Sequence, residues 1–224
     1  MADDVKLHGL WSSPFTQRVI WALQLKGLSY EYIAEDIICK SESLVRYNPV
    51  HKKVPVLVHG GKPVTESMLI VEYIDETWAQ NPLLPQDAHE RAVVRFWAKF
   101  IEEKSIPMMA FFRHVGEDQE KAINFTLDTF KTIEENGLGG NKFLGSEEVS
   151  LADIALGWIV HTLPVMEDII GVKLVKAETF PLLHEWMANF KQVSVIKSSQ
   201  PDYARALDYF RAKREMFIKL GEKH

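Results

Sequence analysis

Val54-Pro55-Val56-Leu57-Val58, His59-Gly60-Gly61-Lys62 and Pro63-Val64 form the stretch that decides the fold. Two short apolar runs flank a glycine loop, which reads as a β-hairpin. Directly after it, Glu66-Ser67 opens a helix whose apolar positions are Ile70, Val71, Ile74 and Trp78. Upstream, Ser41–Tyr47 is a short helical segment stopped by Asn48-Pro49. Further back, Tyr30, Tyr32 and Ala34 alternate as a strand, and Val5-Lys6-Leu7-His8-Gly9-Leu10 reads as another. Between those two strands, Phe15, Val19, Ala22 and Leu23 fall at i, i+4, i+7 and i+8, a helical stripe bracketed by Pro14 and Gly27.

The order is therefore β-α-β-α-β-β-α. Sequential strands joined through a helix imply a parallel, right-handed unit, and the hairpin adds an antiparallel edge. This order matches an α/β thioredoxin-like domain, and other α/β arrangements share it. Asn81-Pro82-Leu83-Leu84-Pro85 reads as a linker. Beyond it the strand signals fade, and helical patterns cover roughly 87–112, 117–136, 151–170, 180–190 and 201–219. Ser150-Leu151-Ala152-Asp153 is a capping box, Pro181 stands at the first position of the next helix, and Pro107 should kink the first one. The expected division is an α/β domain over 1–80, a linker over 81–87 and an all-α domain over 88–224.

Composition narrows the classes. The 224 residues are 46% hydrophobic, enough for a sizeable core, and carry a net charge of −5. No basic stripe exists, the longest basic cluster being His51-Lys52-Lys53, so a nucleic-acid partner is not expected. No apolar run approaches ~18 residues, so no membrane span is expected. Cys39 is the one cysteine, so no internal disulfide can form, which fits a reducing compartment. The acidic start, Met1-Ala2-Asp3-Asp4, has neither signal-peptide nor transit-peptide character, and a cytoplasmic location is the expectation. The histidines show no metal-ligand spacing, so no metal is expected.

Several residues have both a structural and a chemical reading. Ser13, in Trp11-Ser12-Ser13-Pro14-Phe15, stands at a helix N-terminus, where backbone N–H groups and the dipole favour an anion. It is also an ordinary N-cap. Val54-Pro55 is either an edge proline or a cis bond that turns the Val54 backbone groups outward toward a peptide-like ligand. At Glu66-Ser67 a ligand carboxylate can take the Ser67 hydroxyl and N–H while Glu66 holds an ammonium; plain capping is the alternative. Lys40 and Lys53 lie near loop ends facing one end of the sheet, as carboxylate partners or as solvated surface charges. Cys39 beside Lys40 lies in no Cys-x-x-Cys pair and reads as incidental.

Taken together, these segments resemble a cytosolic glutathione S-transferase, most like the plant tau class. Ser13-Pro14-Phe15, Asn48-Pro49-Val50-His51-Lys52-Lys53-Val54-Pro55-Val56-Leu57, Glu66-Ser67, Ile70-Val71-Glu72-Tyr73-Ile74-Asp75-Glu76, Asn81-Pro82-Leu83-Leu84-Pro85 and Ser150-Leu151-Ala152-Asp153-Ile154 stand in that family's order and spacing. The resemblance implies a thioredoxin-like domain followed by an all-α domain. It implies a homodimer, with glutathione as co-substrate and no permanently bound cofactor. Ser13 would activate the glutathione thiol, Lys40 and Lys53 would hold the glycyl carboxylate, Val54 before a cis Pro55 would pair with the cysteinyl backbone, and Glu66 and Ser67 would bind the γ-glutamyl end. A hydrophobic electrophile would lie against Phe15, Met108, Phe111, Phe112, Thr162 and Phe210. The stretch Ile106-Pro107-Met108-Met109-Ala110-Phe111-Phe112 is unusually apolar, and a greasy, methionine-adaptable pocket is expected there.

The expected activity is conjugation of the thiolate to soft electrophiles in xenobiotic detoxification and stress response, with reduction of organic hydroperoxides as a second use of the same thiolate. A serine cannot form the mixed disulfide of the cysteine-type classes, which speaks against a glutaredoxin-like or dehydroascorbate-reducing activity. The non-enzymatic alternative is a carrier of apolar small molecules. For the dimer, Glu76 and Arg95 are expected to pair across the two-fold.

Overall fold

The computed structural model describes residues 4–36, 38–139 and 141–221. The chain divides into two units, Met1–Leu84 and Pro85–His224. The first contains β1 (Val5–Gly9), α1 (Pro14–Leu25), β2 (Glu31–Ala34), α2 (Glu42–Tyr47), β3 (Val56–His59), β4 (Lys62–Thr65) and α3 (Ser67–Thr77). The strands form one sheet in the order β2-β1-β3-β4. β1 and β2 are parallel, while β3 runs antiparallel to both β1 and β4. The hairpin turn works because Gly60 and Gly61 both have positive φ, 54° and 77°, as a two-residue primed turn requires.

The pleat sorts the sheet into two faces. Leu7 pairs with Leu57 in register, and both are fully buried. Their face is left to α1 and α3, which pack on each other. His8 pairs with Val56 and Lys6 with Val58 on the opposite face. There α2 contributes Leu44, which clusters with Val56 and Val58, with Tyr47 and Val54 packed alongside. The alternation expected of Tyr30, Tyr32 and Ala34 does not mark an inward face. The strand is Glu31–Ala34, it occupies the sheet edge, and Glu31, Tyr32 and Ala34 are exposed.

The second unit is all-helical among the described residues: α4 (Ala88–Met108), a single 3₁₀ turn (Met109–Phe112), α5 (Gly116–Asn136), α6 (Leu151–Leu156), α7 (Trp158–Ile170), α8 (Pro181–Gln192), α9 (Ser194–Ser198) and α10 (Tyr203–Gly221). Two expectations change. Pro107 falls in the last turn of α4, so the helix tightens into the 3₁₀ turn there instead of kinking and continuing to residue 112. The pattern over 151–170 is two helices, split at Gly157, a poor helix former.

Helix α6 is the core of this unit, every one of its residues being buried. Its start is fixed by Asp153, whose carboxylate accepts from Leu144 N–H at 2.9 Å, Ser150 N–H at 2.7 Å, the Ser150 hydroxyl at 2.6 Å and Trp186 Nε1 at 2.7 Å. The capping box is present as the sequence predicts. Burial raises the Asp153 carboxyl to about 6, against the opposite pull of those four donors.

Candidate functional site

The sheet register brings the candidate residues of the first unit to one end. The parallel strands β1 and β2 lead at their C-terminal ends toward Ser13 and Lys40. At β1's last residues the antiparallel partner is the start of β3, since His8 faces Val56, and Val54-Pro55 therefore emerges at the same end. Thr65, the last residue of β4, also pairs with Val56, which brings Glu66-Ser67 there as well. The Val54–Pro55 bond is cis, the second of the two readings of that dipeptide.

Ser13 is the N-cap of α1, with Pro14 at the first helical position. Its hydroxyl oxygen accepts from Thr16 N–H at 3.3 Å. That bond uses a lone pair and leaves the hydroxyl proton to donate, so capping and anion binding are compatible roles for one group. The first turn of α1 holds no acidic residue that would repel an anion. The turn before it is set by residues the sequence reading passed over. Thr16 Oγ1 accepts from Leu10 N–H at 3.3 Å, and a Cβ on Gly9 would stand 2.4 Å from Thr16 Cγ2, so only glycine fits there.

Lys40 and Lys53 are both exposed and flank α2 in the chain. Behind Lys53, the buried Asn48 donates its side-chain N–H to Lys53 O at 3.0 Å and accepts from His51 N–H at 3.0 Å. This shapes the turn that delivers Lys53 and Val54. The signal in the sequence was Asn48-Pro49, read as a helix stop and as part of the family's pattern, with no role for the Asn48 side chain.

Glu66 is exposed and holds a φ of 69°, a conformation that disfavours any residue with a Cβ. Its carboxylate lies 3.7 Å from His51 Nε2. Ser67 is buried, and its hydroxyl accepts from Arg18 Nη1 at 3.2 Å. Arg18 is itself buried, lying 5.1 Å beneath the Phe15 ring centroid, and so ties the helix that follows Ser13 to the start of α3. A cation in the middle of a helical stripe was the available sign of this role. The sheet end thus gathers a hydroxyl donor at a helix start, two exposed lysines, a cis Val54–Pro55 bond and a second helix start with an adjacent carboxylate. That is a site suited to a small ligand bearing carboxylates, an ammonium and peptide bonds.

Residues 3–76 match the family described as Glutathione S-transferase, N-terminal domain, and residues 97–199 match a domain of unknown function. The chain is 47% identical over 216 residues to Glutathione transferase GST 23 of Zea mays, covering 96% of this chain and 97% of that one. It belongs to the glutathione S-transferase family. Its likeness is to the plant tau class: a tau-class enzyme from mango, Mangifera indica, superimposes with a TM-score of 0.85 at 35% identity, covering 92% of this chain and 96% of that one. Rice GST1, solved in complex with glutathione, superimposes with a TM-score of 0.88 at 31% identity, covering 96% of this chain and 98% of that one.

The residues expected to meet a hydrophobic substrate lie differently from the glutathione-type set. Phe15 is half-buried beside Arg18. Met108, Phe111, Phe112, Thr162 and Phe210 are all buried. Phe112 meets Phe210 edge-on at 5.9 Å, and Arg214 Nη1 donates to Phe112 O at 2.8 Å. The same segment turns Ile106, Pro107 and Arg113 outward. A cavity of about 510 Å³ in the helical unit contains none of the expected substrate residues; Leu138, Lys142, Glu147 and Trp186 are among those lining it. Among the described residues, no group of His, Cys, Asp and Glu is placed to hold a metal ion, and no helix is long and apolar enough to cross a membrane.

Proposed function

We propose that this chain transfers glutathione, through its thiolate, to soft hydrophobic electrophiles. The observation that carries the reading is the Ser13 hydroxyl at the N-terminus of α1, with a proton left to donate and no acidic residue in the first turn. A free thiol has a pKa near 8.5, and lowering it by ~2 units requires about 2.7 kcal/mol. One hydrogen bond to a charged group contributes ~1.5–3 kcal/mol and a helix terminus ~0.3–1 kcal/mol, which together suffice. Ser13 donates to the thiolate and forms no covalent bond to it. The thiolate then attacks the electrophilic carbon, either expelling halide from an activated aryl halide or adding to an unsaturated carbonyl whose resulting enolate takes a proton from water. Catalysis comes from the held anion and from proximity.

Around that centre, Lys40 and Lys53 bind the glycyl carboxylate, the Val54 backbone pairs with the cysteinyl unit, and Glu66 and Ser67 take the γ-glutamyl ammonium and carboxylate. The buried Met108, Phe111, Phe112, Thr162 and Phe210 support from behind a wall for the hydrophobic substrate whose outward side chains include Ile106, Pro107 and Arg113. The working form is a homodimer in which the exposed Glu76 and Arg95 pair across the two-fold. A Glu76→Lys chain that still elutes as a dimer on a sizing column would remove that pair from the account.

The test of the central role is Ser13→Ala. Turnover near neutral pH should fall by about two orders of magnitude, matching ~2.7 kcal/mol, while KM for glutathione changes by less than about threefold. Ultraviolet titration of bound glutathione should place the thiol's ionisation back near that of the free thiol. Near-normal turnover in this variant would end the proposal.

A further inference from the structure

The α2 face of the sheet carries a buried polar network that packing alone does not require. The side chains of His8 and Glu35 are each 1% exposed, with Nδ1 and Oε1 2.7 Å apart. Glu35 Oε1 also accepts from the Ser41 hydroxyl at 2.7 Å, and its Oε2 from Ser41 N–H at 3.3 Å. The Ser41 oxygen in turn accepts from Leu44 N–H at 3.0 Å, capping α2. The His8 ring stands edge-on to Tyr47 at 5.5 Å, and Glu35 N–H donates to Gly9 O at 2.8 Å. One carboxylate therefore joins the end of β1, the end of β2 and the start of α2.

A buried carboxylate is tolerated only when its oxygens are bonded, and apolar side chains of similar volume would hold α2 as well. What such a network adds is a fixed position for the groups it binds. Burial pushes the Glu35 carboxyl upward, yet its bonds from His8 and Ser41 hold it net below the ordinary carboxylate value. The residues so fixed are Asp36 and Ile38–Ser41. At one end Asp36 Oδ1 accepts from Ile38 N–H at 2.6 Å and Cys39 N–H at 3.1 Å; at the other, Ser41 is gripped twice by Glu35. Lys40 lies between the two anchors.

We infer that His8 and Glu35 are positioning residues for ligand binding: through Ser41 they hold the Lys40 ammonium where the glycyl carboxylate of glutathione docks. This rests on the assignment of Lys40 under Proposed function, and the experiment separates the two. Steady-state kinetics of the full chain are measured for Glu35→Gln, Lys40→Met and the double variant. Glu35→Gln should raise KM for glutathione about tenfold, with kcat at saturating glutathione and KM for the electrophile within about twofold. Lys40→Met should raise the same KM at least as much, and adding Glu35→Gln to it should change KM by less than about twofold, because nothing is left to position. His8→Asn keeps an N–H at the position of the bonded Nδ1 and should stay near wild type, whereas His8→Phe should match Glu35→Gln.

A Glu35→Gln effect that persists undiminished in the Lys40→Met chain overturns the inference. So does a lowered melting temperature with unchanged KM, or equal behaviour of the two His8 variants. A wild-type KM in Lys40→Met overturns the assignment of Lys40 instead. If Glu35→Gln does not fold, Ser41→Ala removes the hydroxyl bond to Glu35 and keeps the N–H bond. It should raise KM for glutathione in the same direction but by less, that rise should vanish in the Lys40→Met chain, and an unchanged KM overturns the inference.

Discussion

Ser13 and Ser150 occupy the same local position, the N-cap of a helix, and differ in everything around them. Three residues after Ser150 stands Asp153, which takes both its N–H and its hydroxyl proton. Ser150 is 2% exposed, and no donor capacity remains for a ligand. Three residues after Ser13 stands Thr16, whose N–H occupies one lone pair of the serine and leaves its proton unspent. An acid at the third helical position closes a capping serine into structure. A neutral residue there leaves it open to an incoming anion, and without an acid the helix terminus keeps its positive end unneutralised.

The largest effect should come from the closed site. Asp153→Ala strands the N–H groups of Leu144, Ser150 and Trp186 inside the helical unit and leaves a void. The expected loss is about 3–5 kcal/mol, read as the shift of the urea midpoint. The pH dependence has a definite sign. Because the folded carboxyl titrates at about 6, above its ordinary 3.8, the stability it contributes is fully present below pH 3.8 and is lost as pH rises through 6. The gap between wild type and Asp153→Ala should therefore be widest in acid and narrow toward neutrality. A gap that widens toward neutrality would mean that the four donors outweigh burial.

The two serines should then exchange phenotypes. Ser150→Ala should cost about 1–2 kcal/mol of stability and leave kcat/KM within about twofold. Ser13→Ala should cost at most about 1 kcal/mol of stability, yet about 2.7 kcal/mol in kcat/KM. Equal loss of stability from both, with activity tracking only the folded fraction, would reduce Ser13 to a cap like any other.

The contrast also explains what was legible in the sequence. The capping box is a local motif, and so are the glycine hairpin, the Pro14 helix start and the linker prolines; each could be placed because its cause lies within a few residues. The surroundings of Ser13 depend on Gly9, whose missing Cβ lets Thr16 approach, and on strand register, neither of which a window of sequence displays. Arg18 reaching Ser67, forty-nine positions away, was illegible for the same reason. The apolar run at 106–112 divides between an inner and an outer side that its composition could not separate. Its composition suggested a pocket lining; Met108, Phe111 and Phe112 are buried, while Ile106 and Pro107 are exposed.

Glu66 supplies the smallest effect and a test of whether the open end of the sheet stores strain for binding. A glutamate at a φ of 69° costs of order 1 kcal/mol, and its side chain makes no capping bond to α3. The ion pair with His51, at 3.7 Å and with both side chains more than half exposed, cannot offset that cost. The strain has no offset in stability, and under the proposed function a carboxylate turned toward the ligand ammonium would require it. Glu66→Gly releases the strain and removes the charge together. The melting temperature should rise by the equivalent of about 0.5–1 kcal/mol while KM for glutathione increases several-fold. Glu66→Ala separates the two terms, since it removes the charge and keeps the strain: its KM should match that of Glu66→Gly while its melting temperature stays near wild type. Were Glu66→Gly to gain stability with no change in KM, the strained residue would be an accident of the hairpin's exit, and the open end of the sheet would owe its ligand to the Ser13 helix and the two lysines alone.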